Sequence, residues 1–99
     1  MKSHRLTETD IRRQIQEYLR MTGWFVYYNL AGLGSFPGLS DLVAIKNWRT
    51  VHIEVKTPRG RQSERQKQFQ QRLEESGGKY IVARGIEDVI FLGGENGGK

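Results

Sequence analysis

Two apolar segments on either side of a short turn constrain the fold of this chain more than any other feature. The segments cover Leu39 to Ile45 and Thr50 to Lys56, and the turn between them is Lys46-Asn47-Trp48-Arg49. In Val51-His52-Ile53-Glu54-Val55-Lys56 apolar and polar residues alternate, which is the period of a β-strand with one buried face. Two strands joined by so short a turn pair as an antiparallel hairpin, and we therefore expect a β-sheet built around this hairpin.

Helical and strand patterns alternate along the rest of the chain. Thr7 is a suitable N-cap for a first helix, and Ser63 with Gln66 forms a capping box before a second one. The patterns predict helices over 7–21 and 64–75 and strands over 24–28, 39–45, 50–56 and 79–83. Residues 86–91 fit a short helix or a strand equally well. The order helix, three strands, helix, strand predicts an α/β fold in which a mixed sheet is flanked by helices.

Length and terminal composition indicate one domain. A chain of 99 residues forms a single domain, which we place at 1–92. Residues 93–99, GGENGGK, are typical of a flexible tail. The longest apolar runs are only a few residues, and no apolar signal region follows the basic N-terminus. We therefore expect a cytoplasmic protein with no membrane partner.

Composition limits the chemistry to oxygen ligands and favours a polyanionic partner. The chain has no cysteine, which excludes disulfides and thiolate metal sites, and its two histidines, His4 and His52, are too far apart to suggest a zinc cage. Lys and Arg together number 16 against 11 Asp and Glu, for a formal net charge of +5. That balance is typical of nucleic-acid-binding proteins, although charge alone leaves other partners equally open.

Three charged side chains are expected to meet at one end of the hairpin. Glu54 and Lys56 are two residues apart and project from the same side of their strand. If the two strands pair around the turn, Asp41 falls near Glu54 on the neighbouring strand. The alternative is a solvated surface ion pair between Glu54 and Lys56. The Gly-Leu-Ser-Asp segment before Leu42 and the basic loop after Lys56 argue against this alternative.

The three side chains suit phosphodiester hydrolysis. The carboxylates of Asp41 and Glu54, with the backbone carbonyl of Val55, are the oxygen ligands that Mg²⁺ prefers. A bound cation acidifies its water and neutralises the phosphate under attack. Lys56 would orient or deprotonate the attacking water and stabilise the charge that builds on the phosphate.

The order of these motifs extends over nearly the whole chain. It runs Pro37-Gly38-Leu39-Ser40-Asp41-Leu42-Val43, Ile53-Glu54-Val55-Lys56-Thr57-Pro58, Gly60, Ser63-Glu64-Arg65-Gln66 and Gly77-Gly78. In this order and spacing the chain resembles the VRR-NUC family of the PD-(D/E)XK nuclease superfamily. The family usually has proline directly before the aspartate, where this chain has Ser40.

The resemblance implies a restriction-endonuclease-like core, dependence on a divalent metal and cleavage of DNA. Stand-alone proteins of this kind, many of them from phages, are similar to Holliday-junction resolvases and act as homodimers, so that two sites face two strands of a symmetric junction. If the chain is encoded by a phage, its location would be the host cytoplasm.

The family pattern also includes a glutamate in the first helix and a glutamine after the catalytic lysine. Helical spacing places Glu8 on the apolar stripe of the first helix and Glu17 opposite it. We therefore expect Glu8 to be a further metal or water ligand; its alternative role is a first-turn acid that favours the helix dipole. Gln66 matches the glutamine and would hydrogen-bond the attacking water or a phosphate. Its role in the capping box explains it equally well, and the two roles are compatible.

Basic residues follow the proposed site along the chain. We expect phosphate contacts from the cluster beside it, with weaker candidates at the hairpin tip; a solvated basic face is the alternative. The cluster is Arg59, Arg61, Arg65 and Lys67, and the hairpin tip contributes Lys46, Arg49 and Trp48.

The sequence therefore predicts an endodeoxyribonuclease that depends on Mg²⁺ or Mn²⁺, prefers branched DNA such as a Holliday junction, and acts as a homodimer. Two alternatives stay open. One is a non-catalytic DNA-binding module of the same fold, and the other is a nuclease that cleaves plain duplex within a larger complex.

Overall fold

The chain forms a four-stranded sheet with helices on both faces. The computed structural model describes residues 6–30 and 35–94. In chain order the elements are α1 (Glu8–Met21), β1 (Phe25–Tyr28), β2 (Leu42–Lys46), β3 (Arg49–Val55), α2 (Glu64–Glu75), β4 (Lys79–Ala83), a 3-10 turn (Ile86–Asp88) and α3 (Ile90–Gly93). The predicted order is confirmed, and the segment after β4 that the sequence left open is helical.

The β2–β3 hairpin has the register that the turn predicted. Leu42 pairs with Ile53, and Lys46 pairs with Arg49. Asn47 and Trp48 form the turn with φ of 51° and 69°, the left-handed conformation that a type I′ hairpin turn requires at both positions.

The prediction that β2 begins at Leu39 was wrong. The strand begins at Leu42, because the preceding residues form a turn in which the Leu39 N–H donates to the Phe36 carbonyl at 3.2 Å. Gly38 occupies this turn with φ of 78°. A Cβ at Gly38 would also overlap the backbone of Arg65, so this glycine lets the loop before Asp41 pack against the first turn of α2.

The sheet is mixed, as predicted. Its strand order is β1-β2-β3-β4, with β1, β2 and β3 antiparallel and β4 parallel to β3. One face packs against α1, whose residues Ile11, Ile15 and Leu19 are buried. The core on this side also contains Trp24, Val26, Leu42, Ala44, Val51, Ile53, Val55, Ala83, Val89 and Leu92. Each fully buried aliphatic side chain stabilises the fold by about 1.5–3 kcal/mol.

The other face of the sheet is covered by α2, and this layer is thinner. None of the α2 residues is fully buried. Its main contact is the half-buried ring of Phe69, which lies 6.1 Å from the rings of both His52 and Tyr80 and 5.7 Å from the ring of Phe36. Glu54 projects into this layer, so the second face of the sheet includes a buried carboxylate.

The C-terminal helical segment closes the α1 side of the core. Val89 and Leu92 are fully buried, and the Tyr18 hydroxyl donates to the Ile90 carbonyl at 2.7 Å. Gly93, where we placed the start of the flexible tail, is the last residue of α3 and lies against Tyr18. Residues 95–99 of that tail, and residues 31–34 of the glycine-rich loop, lie outside the described residues. In the described part of the chain, every helix is too short or too polar to cross a membrane.

Candidate active site

Asp41, Glu54 and Lys56 come together where β2 begins and β3 ends. The hairpin register, extended by one pair, places Asp41 opposite Glu54. The Asp41 Oδ2 atom accepts a hydrogen bond of 2.6 Å from the Val55 N–H. The Nζ atom of Lys56 lies 3.7 Å from the Oε2 atom of Glu54. The structure thus places all three side chains in one cluster.

Glu54 is fully buried, and its two oxygens differ in their surroundings. Oε1 accepts hydrogen bonds from the Tyr80 hydroxyl at 2.5 Å and from the Gln62 amide at 3.0 Å. Oε2 is buried and has no hydrogen-bond partner among the described residues. The Lys56 ammonium lies 3.7 Å from Oε2, which is farther than the 2.7–2.9 Å typical of a charge-assisted hydrogen bond. A buried anionic oxygen without a partner is costly, so this atom is ready to accept a cation.

Asp41 lies in surroundings that disfavour its charge. Burial raises the pKa of Asp41, and the neighbouring Glu54 charge raises it further. The Val55 N–H, Lys56 and Arg12 oppose this rise without cancelling it. Two facing carboxylates with too little positive charge between them are an arrangement that a divalent cation would relieve.

The Val55 carbonyl also faces this end of the hairpin. The Lys56 N–H donates to the Ala83 carbonyl of β4 at 2.9 Å. Backbone groups of successive strand residues point to opposite edges, so those of Val55 point away from β4, and the Val55 N–H donates to Asp41. The N–H and C=O of one strand residue project to the same edge. The Val55 carbonyl therefore points towards the side on which Asp41 lies.

This donor set fits a hard cation that keeps several water ligands. Within residues 6–30 and 35–94, no group of three acidic or histidine side chains lies close enough to hold a metal. Two carboxylates and a carbonyl are what Mg²⁺ takes from proteins, with water completing its octahedral shell. A structural zinc site would need four protein ligands, and this site does not provide them.

Among the described residues, Glu8 does not join Asp41 and Glu54 in a group of three acidic side chains close enough to hold a metal. Glu8 is exposed in the first turn of α1, because the helix enters the core only at Ile11. Glu17 is exposed as well. The α1 residue whose charge does act on Asp41 is Arg12, which follows Glu8 by one helical turn on the same stripe.

Gln66 forms the predicted capping box. Its Oε1 atom accepts from the Ser63 N–H at 2.8 Å, and its own N–H donates to the Ser63 hydroxyl at 3.1 Å. Gln66 and Arg65 also line a cleft of about 260 Å³ with Asp41. Because Ser63 occupies the carboxamide oxygen, the amide nitrogen is the group of Gln66 that remains to bind a ligand in this cleft.

The predicted phosphate-binding residues separate into two groups. Arg59, Arg61, Arg65 and Lys67 are exposed on the loop after β3 and the first turns of α2. Arg65 shares the cleft with Asp41, Arg59 lines a different cleft of about 730 Å³, and Lys67 pairs with Glu64 at 3.4 Å.

Lys46 lies apart from this cluster. Its ammonium donates to the Thr22 carbonyl at the end of α1 at 2.6 Å and lies 6.0 Å from the Trp24 ring centre. Alternation along β2 places the Lys46 side chain on the α1 face of the sheet, where it holds the hairpin tip against α1. This is the opposite end of the hairpin from Asp41.

Sequence reasoning missed Gln62, Tyr80 and Arg12. Tyr80 reaches Glu54 only because β4 joins β3 in parallel, with Tyr80 opposite His52, and the sequence does not determine such a register. Gln62 lies in an irregular loop. Arg12 had a usable signal, since the helical stripe that favoured Glu8 also includes the residue four positions later.

Ser40, in the position before the aspartate, is held by side-chain hydrogen bonds. It is buried, and its hydroxyl lies 3.2 Å from His52 Nδ1 and 3.4 Å from the Leu42 carbonyl. The Asn29 amide donates to the Ser40 carbonyl at 2.9 Å. Burial lowers the pKa of His52, so the ring is neutral near pH 7. The serine hydroxyl has one proton to donate, and the tautomer of the ring decides whether Nδ1 accepts it or donates to the hydroxyl oxygen while the serine donates to the Leu42 carbonyl. These bonds fix the backbone before Asp41 in the absence of a proline.

A mixed sheet with two carboxylates and a lysine at adjoining strand ends defines a nuclease-type domain. The VRR-NUC domain model matches residues 5–87, and the chain belongs to the VRR-NUC family. A solved structure described as a VRR_NUC domain protein is similar, with a TM-score of 0.74 and 22% identity over 90% of this chain and 86% of that one. At this identity the likeness shows the fold. No curated protein matched the chain.

Proposed function

We propose that this chain is an endodeoxyribonuclease that hydrolyses phosphodiester bonds with the help of Mg²⁺ or Mn²⁺. The observation on which the proposal rests is the buried Oε2 atom of Glu54, which has no hydrogen-bond partner among the described residues and lies beside Lys56. A non-catalytic DNA-binding module has no need to bury such an atom at a cost in stability.

Asp41, Glu54 and the Val55 carbonyl would hold the metal. A bound ion would neutralise the scissile phosphate and acidify a water. Lys56 is the cation that the protein itself supplies at this site. Its side chain is 14% exposed, so the ammonium has access to the solvent side of the site. There it would orient the attacking water and counter the charge that develops on the phosphate.

The cleft beside Asp41 supplies groups that suit a DNA backbone. Arg65 and Gln66 line it, and Arg61 and Lys67 are exposed nearby along the same loop and helix. Arginine and lysine binding to phosphates releases counterions, so DNA affinity should fall steeply with added salt. Arg12, whose charge reaches Asp41, is a further candidate to contact the phosphate that approaches the site.

We extend the proposal to branched DNA and to a homodimer. The resemblance to junction-resolving members of the family supports the substrate, and two sites related by a two-fold axis would cleave two strands of a symmetric junction. The exposed aromatic residues of the edge strand β1 support the dimer. Phe25, Tyr27 and Tyr28 are 64%, 42% and 48% exposed, whereas Trp24 is buried in the core.

Digestion of labelled four-way junction, flap and linear duplex with Mn²⁺, with and without a chelator, tests the proposal. We expect junction cleavage that the chelator abolishes. Asp41→Asn and Lys56→Ala should each reduce the rate by at least about 100-fold, and the exposed-acid control Glu17→Gln should cleave normally. Binding without cleavage would favour the non-catalytic module, and equal cleavage of linear duplex would favour the duplex nuclease. Unchanged cleavage by Asp41→Asn would contradict the assigned site.

A further inference from the structure

Both hydrogen-bond donors to Glu54 act on the same oxygen. The Tyr80 hydroxyl and the Gln62 amide lie 2.5 Å and 3.0 Å from Oε1, while Oε2 receives no hydrogen bond from the described residues. The two oxygens of a free carboxylate are equivalent and exchange by rotation of its last torsion. Here that rotation would break one buried and one partly buried hydrogen bond, so the position of Oε2 beside Lys56 is fixed.

The amide of Gln62 is held in one orientation by α2. Its Nε2 atom also lies 2.9 Å from the Oε1 atom of Gln70, whose own amide donates to Glu74 at 3.2 Å. Because both neighbours of the Gln62 Nε2 atom are acceptors, this atom must be the NH₂ group. The series of side-chain hydrogen bonds that links Glu74, Gln70 and Gln62 therefore ends in an N–H donor directed at Glu54.

Tyr80 is an equally fixed donor. It is 8% exposed, and its ring lies 6.1 Å from that of Phe69 on α2. Its hydroxyl donates to Oε1 of Glu54 in a buried hydrogen bond that links β4 to β3. The β4 strand holds it in the register that brings it under Glu54.

We propose that Tyr80 and Gln62 are positioning residues for the metal site, which hold Glu54 by Oε1 so that Oε2 is the single oxygen presented to a divalent cation beside Asp41. This inference rests on the proposed metal-dependent function. Outer groups that orient a ligand commonly change metal affinity by about 10- to 100-fold. Neither residue belongs to the motifs by which the sequence resembles its family.

The test is a calorimetric titration of the full chain with Mn²⁺ alone. Tyr80→Phe removes one donor and keeps the ring, and Gln62→Met removes the other and keeps the length of the side chain. The matched controls are Gln68→Met and Gln71→Met, which make the same change as Gln62→Met at exposed positions of α2. We expect each test variant to bind Mn²⁺ about 10- to 100-fold more weakly and each control to bind as the wild type does.

Two further readouts separate positioning from a general effect on folding. Urea unfolding in chelator measures the free energy of unfolding without metal. For the test variants, the loss of this free energy should be smaller than the loss of Mn²⁺-binding free energy. Cleavage by both should return towards the wild-type maximum at saturating Mn²⁺, because the ligand itself is intact. If Tyr80→Phe fails to fold, Gln62→Met decides alone.

The outcomes distinguish this inference from the function on which it rests. If the wild type binds no Mn²⁺, the proposed function fails and the positioning role fails with it. If the wild type binds Mn²⁺, Asp41→Asn does not, and both test variants bind as the wild type does, the positioning role alone is overturned. A loss of Mn²⁺ affinity no larger than the loss of metal-free stability would also overturn it.

Discussion

Among single residues, Asp41 is the one whose charge its surroundings oppose. Burial raises the pKa of Asp41, the Val55 N–H lowers it in part, and the Glu54 charge raises it again. A carboxyl whose pKa is raised on folding contributes stability while it is protonated, and this contribution is lost as the pH rises through the raised pKa. Without metal, the ionised Asp41 should therefore lower the free energy of unfolding at neutral pH.

Asp41→Asn should accordingly stabilise the metal-free protein. We expect a higher urea midpoint for the variant at pH 7 in chelator. The difference should shrink as the pH falls through the raised pKa of Asp41, because the wild-type carboxyl then takes up its proton, and it should disappear below about pH 4, the ordinary pKa of an aspartate. Addition of Mn²⁺ should reverse the order, because only the wild type gains binding free energy. A variant that is less stable than the wild type at pH 7 in chelator would contradict this account of Asp41.

Among the elements, the β2–β3 hairpin determines the site, and it is also the part that sequence predicts best. A two-residue turn fixes the register locally, so the pairing of Asp41 with Glu54 followed from the spacing of residues around 47 and 48. The turn itself is strained at Trp48, which has φ of 69° and a fully exposed side chain. An aromatic side chain in this conformation is costly unless it packs against something.

Trp48→Gly should therefore stabilise the hairpin. Asn-Gly is the preferred pair for this turn, and relief of the left-handed strain should raise the free energy of unfolding by about 0.5–1 kcal/mol. Urea denaturation measures this. Thr50→Gly, in β3 where glycine only adds chain entropy, is the matched control and should destabilise. Destabilisation by Trp48→Gly would mean that the indole makes a contact that this account omits.

The rest of the site depends on long-range packing, which the sequence does not reveal. Tyr80 lies under Glu54 through a parallel pairing of β3 with β4 whose register no local turn sets. Helical spacing correctly identified the buried stripe of α1, and Glu8 was favoured because it lies on that stripe. Spacing does not show that the first turn of α1 extends beyond the sheet, which leaves Glu8 exposed. The basic character of Lys46 suggested DNA contact, whereas its ammonium ends on the Thr22 carbonyl.

For the whole molecule, the surface that best suits a partner is the β1 end of the sheet, where aromatic side chains are exposed in the described part of the chain. The strand β1 lies at one end of the strand order, and the rings of Phe25 and Tyr27 lie 5.6 Å apart on it, both largely exposed. Adjacent exposed aromatic residues are characteristic of protein interfaces. We propose that a contact between two copies of the chain would form here.

Sedimentation of the full chain tests this assembly. We expect a species of twice the 11.4 kDa chain mass for the wild type and a monomer for Phe25→Thr/Tyr27→Thr, which keeps strand propensity and removes both rings. Trp48→Gly, at a fully exposed aromatic residue on the hairpin tip, should remain dimeric. A monomeric wild type at high micromolar concentration, or a dimer that survives the double substitution, would contradict the placement.

We propose that a divalent cation completes the cluster of Asp41, Glu54 and Lys56. Anomalous diffraction from crystals soaked in Mn²⁺ tests this claim most directly. We predict an anomalous peak in contact with Oε2 of Glu54 and a carboxylate oxygen of Asp41. Peaks only elsewhere, with the Lys56 ammonium moved into hydrogen-bond contact with Oε2 of Glu54, would contradict it.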